Sequence, residues 1–148
     1  MSLPQNFRLH HVGYAAREIG PVAAMYVARF GYAAVTGIIH DPLQTALVQF
    51  LQLAGQATYL EVVAPDGPES KLAGAVKRGG PLNHLCYATR ELEAAILHLE
   101  STGMKLISDP KPAVAFAGRR ICWLMGQDML PIELVELQHQ DEACVPGV

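Results

Sequence analysis

Four polar side chains occupy equivalent places in a sequence that repeats itself. Leu9-His10-His11-Val12-Gly13-Tyr14-Ala15-Ala16-Arg17-Glu18-Ile19 is echoed by Leu82-Asn83-His84-Leu85-Cys86-Tyr87-Ala88-Thr89-Arg90-Glu91-Leu92, with six of eleven positions identical. Further along, Leu60-Glu61-Val62-Val63 returns as Ile132-Glu133-Leu134-Val135. The repeat therefore selects His11, Glu61, His84 and Glu133. His10 is matched by Asn83, and neighbouring strand residues face opposite sides, so only one of His10 and His11 is expected to point as His84 does. Each glutamate sits between apolar residues, where an unpaired buried carboxylate is costly or is forced neutral. A cation removes that cost. If the two copies pair about a pseudo-twofold axis, two imidazoles and two carboxylates converge as a His2Glu2 site. That donor set suits Zn, Ni, Co, Mn or Fe and, without thiolates, does not choose among them.

The elements that must position these residues follow the same repeat. Leu9 to Ala15 and Leu82 to Ala88 have strand composition. A helix follows each: Pro21 suits a first turn, Val22, Met25, Tyr26 and Phe30 recur at helical spacing, and Glu91 to Ser101 has the same period, closed by Gly103. Three strand-like runs come after each helix: Tyr32 to Ile38, Thr45 to Leu53 and Thr58 to Val63, then Lys105 to Ser108, Arg120 to Leu124 and Pro131 to Leu137. The breakers between them are Asp41-Pro42, Ala54-Gly55, Pro110, Pro112 and Gly126-Gln127-Asp128. The expected fold is α+β, two tandem βαβββ modules (about 8–64 and 81–137) forming one curved mixed sheet within a single domain, 8–137. A linker at 65–80, with a short helix around Ser70 to Arg78, joins them, and 138–148 form a C-terminal tail.

Composition excludes several classes of function. A chain of 148 residues is the size of one domain, and with 51% hydrophobic and 17% charged residues it has ample core material. It needs no metal or disulfide simply to fold. A net charge of −3, with basic residues clustered no further than Lys77-Arg78 and Arg119-Arg120, argues against nucleic acid as a partner. No apolar run reaches membrane-spanning length, and no basic segment leads into an apolar one at the N-terminus, so a soluble, untargeted protein without a membrane partner is expected. Cys86, Cys122 and Cys144 share no metal-type spacing and read as reduced thiols in a cytoplasmic protein.

The chain resembles the vicinal oxygen chelate superfamily, which includes glyoxalase I, methylmalonyl-CoA epimerase, extradiol dioxygenases and drug-binding resistance proteins. The resemblance runs from Leu9 to Leu137. It is strongest to the epimerase group, through "LHHVGYA", "YLEVVAP", "ESKLAGAVKRGGPLNHLCYAT" and "IELVEL". It implies the glyoxalase-like fold and one divalent metal ion held by His11, Glu61, His84 and Glu133, the four residues the repeat had selected. It further implies a metal-dependent isomerase or lyase that removes a proton α to a carbonyl of a small acyl thioester, with Glu133 as the base, and commonly a homodimer. Alternatives within the superfamily are a lactoylglutathione lyase-like enzyme or a metal-free resistance-type binding protein. An extradiol dioxygenase, whose iron site uses two histidines and one carboxylate, fits Glu61 poorly.

Epimerases carry a second acidic residue where this chain has Leu43 and Gln44. Gln44 can hydrogen-bond but cannot take a proton. Asp41 lies close by, although Asp41-Pro42 also reads as a turn. Cys86 shares a strand face with His84. Lys77, Arg78, Arg119 and Arg120 are either solvated or contacts for a coenzyme A thioester. Pro112 to Phe116 is apolar enough to cover the site, Trp123 and Tyr59 suit a core or a pocket wall, and Val22 to Val27 offers a stripe for dimer contact.

Overall fold

The computed structural model describes residues 6–147. Among these, nine strands form one mixed sheet: β1 (Arg8–Ala15), β2 (Ala33–Ala34), β3 (Ile39–Asp41), β4 (Ala46–Gln52), β5 (Tyr59–Pro65), β6 (Leu82–Thr89), β7 (Lys105–Pro112), β8 (Arg120–Met125) and β9 (Pro131–Glu136). The helices are α1 (Ile19–Phe30), α2 (Ala73–Arg78) and α3 (Leu92–Ser101). Strand order is β2-β4-β5-β1-β6-β9-β8-β7, with β3 paired to β4. At the centre β1 and β6, the two repeated strands, run antiparallel. Each is flanked by the last strand of its own copy, β5 or β9, in parallel.

Strand periodicity divides the core in two. Leu51, Leu60, Val62 and Ala64 face Val22, Ala23 and Tyr26 of α1, and Cys122, Leu124 and Leu134 face Leu92, Ala95 and Ile96 of α3. Both long helices thus bury their apolar stripes on alternate residues of the sheet, leaving the intervening residues for the opposite face. Helix α1 stops at Gly31, whose φ of +78° a glycine accepts without strain and whose N–H bonds to the Val27 carbonyl at 3.1 Å. Val22, Ala23 and Tyr26 of the expected dimer stripe are therefore used by the chain's own core.

Two elements depart from the sequence reading. The strand expected over Tyr32 to Ile38 is reduced to Ala33–Ala34, and pairing resumes at Ile39–Asp41. Between them Thr36 takes over the ladder, its hydroxyl accepting from the Phe50 N–H and its carbonyl from the Gln49 amide. In the second copy Pro110 and Pro112 do not end the strand; β7 continues to Pro112 with register shifts on either side of Ser108. Prolines are tolerated there because β7 is a sheet edge, where a missing N–H costs no ladder bond.

The C-terminal segment is packed rather than trailing. Cys144 and Val145 are buried in the core on the cavity side of the sheet, and Glu142 is paired with Arg119 while accepting from the Gln138 N–H at 2.6 Å. Val148 of the expected tail lies outside the described residues. Among the described residues no helix is long and apolar enough to cross a membrane.

Candidate metal centre and cavity

Strand register brings the four repeated residues together. Glu61 lies opposite Gly13 on β1, and Glu133 opposite Cys86 on β6. In each copy the glutamate thus faces the residue two places after the histidine, which a period of two puts on the same face. The β1–β6 pairing sets His84 opposite Gly13 and His11 opposite Cys86, so both histidine–glutamate pairs share one face.

His11 Nε2 lies 3.0 Å from His84 Nε2, 3.3 Å from Glu61 Oε1 and 3.2 Å from Glu133 Oε1. His84 Nε2 lies 3.2 Å from Glu61 Oε1 and 3.5 Å from Glu133 Oε1. All four side chains are buried. Two ligand atoms each about 2.1 Å from one ion are about 3.0 Å apart at a right angle and about 3.4 Å apart at the tetrahedral angle, so the spacing suits one small cation. Glu133 Oε1 has imidazole neighbours but no hydrogen-bond partner of good geometry. An orphaned buried carboxylate oxygen calls for a cation.

The four groups are electrostatically coupled. Burial opposes charge on all four groups, yet mutual proximity wins. His11 holds the Glu61 carboxylate well below its ordinary range, and His11 and His84 do the same for Glu133. The carboxylates in turn hold His11 and His84 above the usual histidine value. With neutral imidazoles the cluster carries two negative charges, which a divalent ion balances.

Simple alternation would turn His10 away from His11, and the structure departs from it. In the β1–β6 register Leu9 faces Tyr87 and His11 faces Cys86, so His10 is an extra residue, a bulge. The bulge turns it toward the same side: the His10 ring lies 6.1 Å from Phe50 and 5.9 Å from Phe116, and His11 lies 5.6 Å from both. His10 Nε2 donates to the Ala143 carbonyl at 2.7 Å, and its Nδ1 lies 2.8 Å from His11 Nδ1. Burial, aided by the neighbouring His11, pushes its pKa down to about 4 and keeps it neutral. His10, His11 and Cys86 also lie close enough to suggest a second metal cluster. They are poorly suited to one, since both His10 nitrogens are engaged and burial pushes the Cys86 thiol far above its ordinary range.

The cluster opens onto a cavity of about 590 Å3, lined by Glu61, His84 and Glu133 together with Val48, Val63, Phe116 and Trp123. That volume is within the roughly 300–1,000 Å3 of small-molecule sites. Trp123 stands edge-on to His84 at 4.8 Å and donates from its indole N–H to Gln44 Oε1 at 3.2 Å. Phe116 stacks on His11 at 5.6 Å, and of Pro112 to Phe116 it is the buried Ala115 and Phe116 that line the cavity. Gln44 lines the cavity, and so does Asp41. Asp41 is buried, accepts from the Gln44 N–H through Oδ1 at 3.4 Å and has no partner for Oδ2; desolvation raises its pKa.

The basic pairs do not reach the cavity. Arg119 is paired with Glu142, and Arg120 with Glu93 at 2.7 Å and with Glu136. Lys77 and Arg78 lie on α2, whose Ala75 lines the cavity, but neither of them is among the lining residues. The basic residue that does line the cavity, Lys71, was not selected by the sequence, where it is one charge in a linker. Its Nζ donates to the Leu43 carbonyl at 3.4 Å.

Known proteins similar to this chain include epimerases. The chain is 29% identical over 134 residues, 89% of its own length and 97% of the relative's, to the ethylmalonyl-CoA/methylmalonyl-CoA epimerase of Cereibacter sphaeroides. Its fold matches methylmalonyl-CoA epimerase from Mycobacterium tuberculosis with a TM-score of 0.77 at 25% identity, covering 88% of each chain. A Streptomyces coelicolor methylmalonyl-CoA epimerase in complex with 2-nitronate-propionyl-CoA matches with a TM-score of 0.76 at 22% identity, covering 89% of this chain and 98% of that one, a likeness of fold alone. Residues 10–123 match one family model, and the chain belongs to the Glyoxalase/Bleomycin resistance protein/Dioxygenase superfamily.

Proposed function

We propose that this protein is a metal-dependent epimerase of a small α-substituted acyl-CoA thioester of the methylmalonyl-CoA type. What carries the proposal is a buried His2Glu2 cluster facing a largely apolar cavity of about 590 Å3. His11, Glu61, His84 and Glu133 would hold a divalent ion, which would supply Lewis-acid stabilisation of the negative charge that a thioester carbonyl gains as its α-proton leaves. Residues 8–137 act as one unit in this reading, because each of the two copies contributes half of the ligands.

Glu133 takes the α-proton. It lines the cavity beside His84, and with Oε1 turned toward the imidazoles its second carboxylate oxygen is the one left to accept a proton. Epimerisation requires the proton to return to the other face of the carbon, and Asp41 serves there. Its Oδ2 has no hydrogen-bond partner at the cavity wall supplied by β3, and burial raises its pKa. Trp123 and Phe116 exclude water beside the reacting carbon, and Lys71 offers a charge to the anionic groups of the substrate. A homodimer and a reducing, cytoplasmic setting belong to the same proposal, supported by Val27 and Phe30 left exposed on α1 and by three free, buried cysteines.

Protein loaded with cobalt or zinc and given one epimer of methylmalonyl-CoA in deuterated water is expected to exchange the α-hydrogen and yield the other epimer. No exchange at any metal loading would overturn the assignment. Asp41→Asn keeps the Oδ1 acceptor that holds the Gln44 N–H, so folding is retained. Interconversion is expected to fall about 10²- to 10⁴-fold, while exchange of the epimer deprotonated by Glu133 persists. Equal loss of exchange from both epimers would remove Asp41 from its role.

A further inference from the structure

The two metal-facing histidines are each preceded by a polar residue, and both of those residues are bulges. His10 is the extra residue of β1 between the Leu9–Tyr87 and His11–Cys86 pairs. Asn83 is the extra residue of β6 between the Gly13–His84 and Tyr14–Leu82 pairs. A bulge re-aims a side chain that regular alternation would send to the other face. Each of these two reaches the Nδ1 of the adjoining histidine: Asn83 Oδ1 accepts from His84 Nδ1 at 2.7 Å, and His10 Nδ1 lies 2.8 Å from His11 Nδ1.

Proton counting fixes the directions. The Ala143 carbonyl only accepts, so His10 carries a proton on Nε2, 2.7 Å from that oxygen, and a His11 that holds a cation through Nε2 carries its own proton on Nδ1. His10 Nδ1 then carries a lone pair and accepts from His11 Nδ1–H. With its proton placed there, a neutral His11 presents the Nε2 lone pair toward Glu61 and Glu133, as His84 does through Asn83. Ala143 is itself held in place: Arg8 donates to the Glu142 carbonyl, Glu142 is paired with Arg119, and Cys144 and Val145 are buried.

We propose that His10 is a positioning residue that couples the C-terminal segment to the metal centre, accepting the Nδ1–H of His11 while donating to the Ala143 carbonyl and so fixing the tautomer in which His11 binds a cation. The inference rests on the metal-site reading above and adds the device that orients one ligand. Partners of this kind typically matter about 10- to 100-fold in metal affinity.

The test measures zinc affinity by competition with a chelating dye for the full chain and two variants. His10→Leu keeps bulk without a polar atom and is expected to bind zinc about 10- to 100-fold more weakly. His10→Asn supplies the carboxamide that Asn83 uses in the other copy and is expected to restore most of the lost affinity. A His10→Leu affinity equal to that of the unmodified protein would overturn the inference, whereas failure of the unmodified protein to bind zinc would overturn the metal site itself. Nitrogen NMR of the zinc-loaded, histidine-labelled protein gives a readout that does not depend on how the variants fold. His10 is expected as the Nε2–H tautomer and His11 as the Nδ1–H tautomer, and the reverse assignment would also overturn the inference.

Discussion

Glu133→Gln is expected to lower α-proton exchange by about 10³-fold or more, while Glu61→Gln, compared at equal metal occupancy, costs about 10- to 100-fold. The two glutamates are equivalent in the repeat, both are buried, and each lies beside both imidazoles, so either substitution removes one negative charge from the same cluster. Loss of charge alone should therefore weaken metal binding similarly in the two variants. What differs is chemistry: only Glu133 is assigned the α-proton, and a glutamine amide cannot accept it. Kinetics of deuterium exchange, with metal content determined on the same samples, separate the two effects. Equal losses in both variants would show that Glu133 acts as a ligand alone.

Gly13→Ala is expected to displace His84 and weaken metal binding by about 100-fold or more, beyond the loss of an orienting partner. A Cβ on Gly13 would lie 2.6 Å from His84 Nε2 and closer still to Cε1 and Nδ1 of the same ring. The ring must therefore move, and it can do so only by giving up its place between the other ligands and its edge-on packing with Trp123 at 4.8 Å. Overpacking of this kind also destabilises, by roughly 1–3 kcal/mol. Gly20→Ala is the control: nothing lies within 4 Å of its added carbon, and alanine is the better helix former in α1. Zinc titration and thermal melting of the two variants check the prediction, and a Gly13→Ala protein that binds zinc normally would refute it. The equivalent position in the second copy is Cys86, opposite His11, so the two copies give their histidines different amounts of space.

The repeat makes the candidate ligand set legible without a fold. A histidine two residues ahead of a small residue, and a glutamate inside an apolar strand, recur in both copies, and the cost of burying an unpaired carboxylate turns that recurrence into a candidate cation site. Helices α1 and α3, the strands β1, β4, β5, β6, β8 and β9, and the linker helix are legible for the same local reasons, namely apolar periodicity and Gly/Pro punctuation. Pro110 and Pro112 mislead because a proline signals a break only when the strand needs its N–H, and strand neighbours are a property of the sheet. Arg119 and Arg120 look available for a substrate because their carboxylate partners, Glu142, Glu136 and Glu93, lie far off in sequence.

By itself the sequence determined that two modules carry matching histidines and glutamates, and therefore which four side chains belong together. Tertiary structure alone decided how they are oriented. Alternation along one strand predicts that His10 turns away, but pairing of β1 with β6 is not in register throughout, and the resulting bulges bring His10 and Asn83 onto the Nδ1 atoms of the His11 and His84 rings. The Ala143 carbonyl reaches His10 from 133 residues along the chain. No local pattern encodes a register shift between distant strands or the resting place of a terminal segment, because both are set by packing across the sheet rather than by neighbours along the chain.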